Sequence, residues 1–177
     1  MKNKRFISIF TILLITLSCS QQKKKSEKKH SENEISQTWD DFLKIISSND
    51  KIKFKEISNT SIRCYLCLEN TSSEQEELEI LRKTDSLWYD KIYDDKIYIP
   101  IDSFIANEFD LIFNSEFVAI LKTKTTKFHK REIDGIEYYE ILVTTTDPTI
   151  THEGGQHSFQ FKKVSKKWKF NDIGTIP

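Results

Sequence analysis

Apolar residues along this chain repeat with two different periods, and the change from one to the other predicts the architecture. From Trp39 the spacing is helical: Trp39, Phe42, Leu43 and Ile46 fall at i, i+3, i+4 and i+7 and form one stripe, with Ser36 or Thr38 placed to cap the helix. Asn49-Asp50 restarts a shorter helix bearing Phe54 and Ile57. Ser73-x-x-Glu76 reads as a capping box ahead of Leu78 and Leu81. Asp102 or Ser103 opens another helical stretch with Phe104, Ile105, Phe109 and Ile112. After a break at Asn114 the helical spacing resumes through Phe117, Ile120 and Leu121. The N-terminal half is therefore expected to be mostly helical.

Beyond Lys122 the period becomes two. Asp134-Gly135 separates 127–133 from 136–146, and both central positions of a type I′ hairpin turn require positive φ, which this dipeptide tolerates. Asp147-Pro148 and Gly154-Gly155 mark the next reversal. Then 158–164 and 167–173 flank Ser165-Lys166, with Phe159/Phe161 and Trp168/Phe170 alternating. The expected fold class is α+β, with N-terminal helices packed on a curved C-terminal antiparallel sheet of about four strands. No strand alternates with a helix in βαβ fashion, which argues against a doubly wound nucleotide-binding sheet.

The N-terminus carries a different pattern. Lys2, Lys4 and Arg5 precede an uncharged apolar run, 6–17, which is too short for the roughly 20 helical residues that a hydrocarbon core requires. The run ends in Thr16-Leu17-Ser18-Cys19, which resembles the lipobox of bacterial lipoproteins, although Leu usually stands where Thr16 is. The resemblance implies a signal peptide over 1–18, diacylglyceryl attachment at Cys19, cleavage before it and a second acyl group on the new amine. More than one chain makes such a residue a durable membrane anchor. It also implies a lipid-anchored place in the cell envelope, at the outer membrane and facing the periplasm or the surface. An ordinary secretory signal that contains a cysteine, or an uncleaved anchor, would give the same pattern. The organisation expected is signal 1–18, lipidated cysteine and tether 19–34, and a single α+β domain over 35–177.

Charge follows from that organisation. The chain holds 27 basic and 27 acidic residues; three of the basic ones lie in 1–18, and 19–34 holds five Lys and three Glu, which leaves 19 basic against 24 acidic from Ile35 onward. A folded part near −5 lacks the basic face that nucleic acid requires, so nucleic acid is not an expected partner. Lys23, Lys24, Lys25, Lys28 and Lys29 either touch anionic headgroups or solvate a spacer.

Helices followed by an antiparallel sheet with aromatic residues on its inner face resemble the NTF2-like cone and, less closely, a cystatin-like sheet. The terminal GGQHSFQFKKVSKKWKFNDIG is similar to the last hairpin of NTF2-like proteins and of lipoproteins of Bacteroidota. The resemblance implies a pocket between sheet and helices. It does not imply a chemistry, because one fold hosts enzymes and binders alike.

With Cys19 consumed by lipid, Cys64 and Cys67 remain as an even pair in an oxidising setting, and a local disulfide across a turn is the expected state. A packed reduced pair, a redox CxxC, and a Cys₂His₂ metal site with His152 and His157 are the alternatives. His152-Glu153 does not continue into a helical H-E-x-x-H, because Gly154-Gly155 interrupts it. The sequence contains no G-x-G-x-x-G, Walker A, G-x-S-x-G or S-x-x-K pattern. No catalytic residue, cofactor or metal is therefore assigned. The function expected is a non-catalytic envelope module that binds a small apolar molecule, a peptide or a protein partner. The rival is an NTF2-like enzyme with an acid-base residue inside the cone, for which Asp110, His129, Glu140 and His157 are the candidates.

Overall fold

The computed structural model describes residues 33–176. Cys19, the signal over 1–18 and nearly all of the 19–34 tether lie outside the described residues. Contacts divide the chain into two units, one ending at Thr38 and one beginning at Trp39. Of the first, residues 33–38 are helical throughout. The Thr38 hydroxyl donates to the Glu34 carbonyl at 2.9 Å. Ser36 and Thr38 are thus interior helical residues and not caps, because a back-bond to i−4 satisfies the threonine hydroxyl within the helix.

Helix α1 spans 33–47, and a turn follows in which Asn49 takes φ 53°. Asp50 then caps α2 (Lys51–Ile57) by accepting from the Lys53 amide. Strand β1 (Ser58–Cys64), a 3₁₀ turn (Leu66–Leu68) and α3 (Ser72–Thr84) come next. The capping box of α3 is Thr71 with Glu74. The expected pair, Ser73 and Glu76, has the same S/T-x-x-E spacing but sits in the helix, since Thr71 is the extended residue that precedes it. Helix α4 (Trp88–Lys91) continues as a π-helical Ile92–Lys96 into β2 (Tyr98–Pro100). From α5 (Ile101–Ser103) a π-helical Phe104–Glu108 leads to α6 (Phe109–Ile112). The wider turn puts Phe104 and Phe109, five residues apart, on one buried face. Asn114 caps α7 (Ser115–Thr123), and β3 (Thr126–Ile133), β4 (Ile136–Thr146), β5 (Gly155–Val164) and β6 (Lys167–Ile176) complete the chain.

The fold is α+β with a six-stranded mixed sheet, ordered β2-β1-β6-β5-β4-β3. The four C-terminal strands form the expected antiparallel meander. The expectation of about four strands in an antiparallel sheet is corrected by two more: β1 runs parallel to β6, and β2 pairs antiparallel with β1. Both escape a periodicity reading for physical reasons. Most of β1 is polar, Ser58-Asn59-Thr60-Ser61, and only Ile62 and Cys64 reveal its alternation. Strand β2 is a three-residue edge that ends at Pro100, whose missing N–H suits an edge. Both hairpins use positive φ at their two central residues, Asp134-Gly135 and Ser165-Lys166.

On the helix-facing side of the sheet a cluster of rings forms the core. Phe42 is fully buried. Its ring lies 5.3 Å from Trp39, 5.0 Å from Phe170, 5.6 Å from Phe161 and 5.9 Å from Phe159. Phe54 lies 4.8 Å from Phe109 and 5.7 Å from Phe104. A second, smaller cluster of Leu78, Ile92 and Ile97 packs against Tyr65, Trp88 and Tyr93.

Candidate functional site

The other face of the sheet is polar, and one row of residues crosses all six strands. Pairing places His129 opposite Glu140, Glu140 opposite Gln160, Gln160 opposite Asp172, and Asp172 and Tyr98 on either side of Arg63. Residues paired across neighbouring strands share a face, so this row stands opposite Phe159, Phe161 and Ile62. A cleft of about 420 Å³ opens over its middle, lined by Arg63, Arg131, Glu140, Ser158, Gln160 and Asp172, with Tyr65, Leu66 and Tyr93 at one side.

A bulge in β6 aims Asp172 into this cleft. Phe170 pairs with Phe161, but Asp172 pairs with Gln160, so Asn171 is an extra residue between them. Without it Asp172 would share the face of Phe170 and meet the aromatic core. The inserted Asn171 is itself used. Asn59 Nδ2 donates to Asn171 Oδ1 at 2.7 Å, and Asn171 Nδ2 donates to Gln160 Oε1 at 2.9 Å. This amide chain turns the Gln160 oxygen towards Asn171 and so leaves the nitrogen, with its two N–H donors, as a group it can offer a ligand.

Two arginine–carboxylate pairs flank Gln160. Arg63 Nη1 donates to Asp172 Oδ2 at 3.0 Å, and Arg131 Nη2 donates to Glu140 Oε2. Burial pushes the Asp172 carboxyl above the usual aspartate range; Arg63 pulls it back and Glu140 adds to the rise. Burial also works against the Arg63 charge, but Asp172 and Tyr98 outweigh it and its pKa is raised. The partners differ because Asp172 is the deeper of the two: its side chain keeps 12% of its exposure and that of Arg63 keeps 40%.

The cysteine turn forms the neighbouring wall. Cys64 ends β1 and is joined to Cys67 by a disulfide, with Cα atoms 5.4 Å apart. The closed turn carries Tyr65 and Leu66 to the cleft. The Tyr65 ring stacks on Tyr93 at 5.7 Å and its hydroxyl accepts from Arg82 Nη2 at 2.6 Å. Burial raises the Tyr65 pKa, against the pull of Arg82. Across the sheet, Gly174 pairs with Ser158, and a Cβ there would stand 3.3 Å from the Ser158 hydroxyl oxygen. Glycine keeps that part of the floor low.

The residues considered for acid-base work are dispersed. Asp110 is exposed and paired with Lys51 at 2.7 Å, and His129 is exposed at the outer end of the row. His157 lies on the helix-facing side, against Phe117 at 4.6 Å and beside the Thr145 hydroxyl at 2.9 Å, and burial lowers its pKa. Of these candidates Glu140 alone lines the cleft. His152 accepts the Gly154 amide at 2.8 Å in the β4–β5 connection. Among the described residues no group of three or more His, Cys, Asp or Glu is placed to hold a metal.

Sequence reasoning missed Arg63, Arg131, Gln160 and Asp172 as a group. One signal was legible: the apolar alternation Trp168, Phe170 breaks to Ile173, which marks the bulge that frees Asp172. No family model and no curated protein matches the chain.

Proposed function

We propose that this protein is a lipid-anchored lipoprotein of the cell envelope whose folded part is a non-catalytic binding module built as an NTF2-like cone. Support for the anchor comes from the basic start, the apolar run of 6–17 and Cys19 directly after Ser18. No helix among the described residues is long and apolar enough to cross a membrane. The cone reading is supported by helices that precede the meander and by rings on its helix-facing side.

The observation that carries the binding reading is the cleft, where two arginine–carboxylate pairs and an oriented glutamine converge on one polar concavity. Rings occupy the helix–sheet interface in which an apolar ligand was expected. The ligand we propose is accordingly a small polar molecule. Equilibrium dialysis of the protein against a bacterial small-molecule extract, followed by mass spectrometry, tests it. One compound should be enriched by the wild-type protein and not by an Arg63→Ala/Glu140→Ala variant. Equal retention by both, or retention of nothing, overturns the reading. The anchor is tested separately: Cys19→Ala should move the protein from the detergent phase to the aqueous phase.

Asp172 supports a second reading, an acid-base enzyme, because burial and Glu140 raise its pKa against the pull of Arg63. Conversion of the retained compound on long incubation, lost in Asp172→Asn, would favour that reading over simple binding.

A further inference from the structure

We propose that the cleft accepts a small zwitterion, a free α-amino acid in its simplest form, with the ammonium group at the Glu140 carboxylate and the carboxylate at the Arg131 guanidinium group and the Gln160 amide nitrogen. This rests on the binding reading above and adds the chemical class of the ligand.

Three observations carry it. The first is the vertical separation of charge. The carboxylate side chains are deep, 12% exposed for Asp172 and 20% for Glu140, while the side chains of their partners are more exposed, 40% for Arg63 and 52% for Arg131. The two acids accept hydrogen bonds, and the arginines and the Gln160 amide nitrogen donate them. A ligand whose cation points down and whose anion points up matches both levels.

The second observation is charge balance. Two guanidinium groups face two carboxylates, so the lining is formally neutral. A net anion would have to displace a carboxylate from arginine, and a net cation would leave a surplus charge in a partly desolvated site. A zwitterion adds neither. Each arginine bonds its own carboxylate through a single nitrogen, Nη1 in Arg63 and Nη2 in Arg131, so N–H donors of a fork with five remain to receive a ligand carboxylate.

The third observation is the fixed centre. The Asn59–Asn171–Gln160 chain holds the glutamine amide in one orientation, which gives the pocket a directed donor between the two acids. Beside it the stacked Tyr65 and Tyr93 rings offer an apolar surface for a side chain. A volume of about 420 Å³ suits an amino acid with room for such a side chain. A neutral polyol would also find donors and acceptors here, but it would make no use of the sign difference between floor and rim.

Titration calorimetry on the full-length protein decides the matter, with the twenty common amino acids offered singly, then glucose and maltose as neutral polyols and putrescine as a cation. At least one amino acid should bind with a Kd below about 1 mM. Its N-acetyl derivative and its carboxamide should each bind at least about tenfold more weakly, because each removes one of the two charges. Glu140→Gln and Arg131→Ala should reproduce those losses while leaving the circular dichroism spectrum and the urea midpoint near those of the wild type. Binding that survives N-acetylation or amidation overturns the proposal, as does the absence of binding by every amino acid. If a polyol binds instead and the same two substitutions abolish it, the cleft remains a binding site and the zwitterion is refuted.

Discussion

Phe42→Ala should be among the most damaging substitutions available in this protein. The side chain is fully buried, with the rings of Trp39, Phe54, Phe113, Phe159, Phe161 and Phe170 all within 6.2 Å of its centroid. Truncating a buried phenylalanine costs about 3–5 kcal/mol, because the lost transfer free energy is joined by a cavity that the surroundings only partly fill. Here the walls are themselves large rigid rings anchored on α1, α2 and the sheet, which cannot collapse inward easily. Aromatic pairs add about 0.5–1.5 kcal/mol each beyond their area, although those contributions do not sum over a shared ring. The upper half of the range, about 4–5 kcal/mol, is therefore expected. Against a total stability of about 5–15 kcal/mol this leaves a marginal fold. The melting temperature should fall by roughly 8–20 °C, and the urea midpoint should drop with an unchanged m-value. Phe42→Leu, which keeps much of the volume, should cost about 1–2 kcal/mol. A loss below about 1 kcal/mol for the alanine variant in urea unfolding would refute the packing described for the helix-facing side of the sheet.

Replacing Cys64 and Cys67 by Ser should lower stability by about 1–3 kcal/mol, as expected for a very short loop, and two free thiols in the mass of the untreated protein would rule the bond out. Ser165-Lys166→Asn-Gly should raise stability by about 0.5–1 kcal/mol in thermal unfolding, because both positions take positive φ; a loss would mean that the native side chains make contacts of greater value. Burial raises the Glu108 pKa, against the Asn70 amide that donates to it at 2.8 Å and with a further rise from Glu74. The native state therefore favours its neutral form: the contribution is fully present below the unfolded value near 4.5 and is lost as the pH rises through the higher folded pKa. Glu108→Gln should be as stable as the wild type at pH 4 and more stable than it at pH 7; no change in that difference with pH refutes the assignment.

Elements with strong, regular apolar spacing were legible from residues alone. Of the stripe Trp39, Phe42, Leu43 and Ile46, all but the half-buried Leu43 are buried, and the Asp134-Gly135 hairpin turns where its dipeptide implies. The cleft was not legible, because its residues belong together only through strand pairing. Arg63 lies on a strand whose sequence is mostly hydroxyl and amide side chains, and nothing local to it announces Asp172. Glu140 and Gln160 read as ordinary solvent-facing positions of the meander until the mixed pairing sets them between two arginines. The bulge at Asn171 was visible as a broken alternation, but a broken alternation equally describes the end of a strand.

The parallel seam between β1 and β6 gives the cleft a place in time as well as in space. Strands β3 to β6 pair with their neighbours in sequence, through two-residue turns at 134–135 and 165–166 and an eight-residue connection at 147–154, whereas Arg63 and Asp172 are 109 residues apart. Closing so long a loop costs entropy that only the finished seam returns, so the meander can assemble first and the first strand docks onto the last. In a chain made from its N-terminus, β1 must wait for nearly all the rest to emerge. The polar concavity is then completed only when β6 meets β1, and a product that stops before β6 cannot display it.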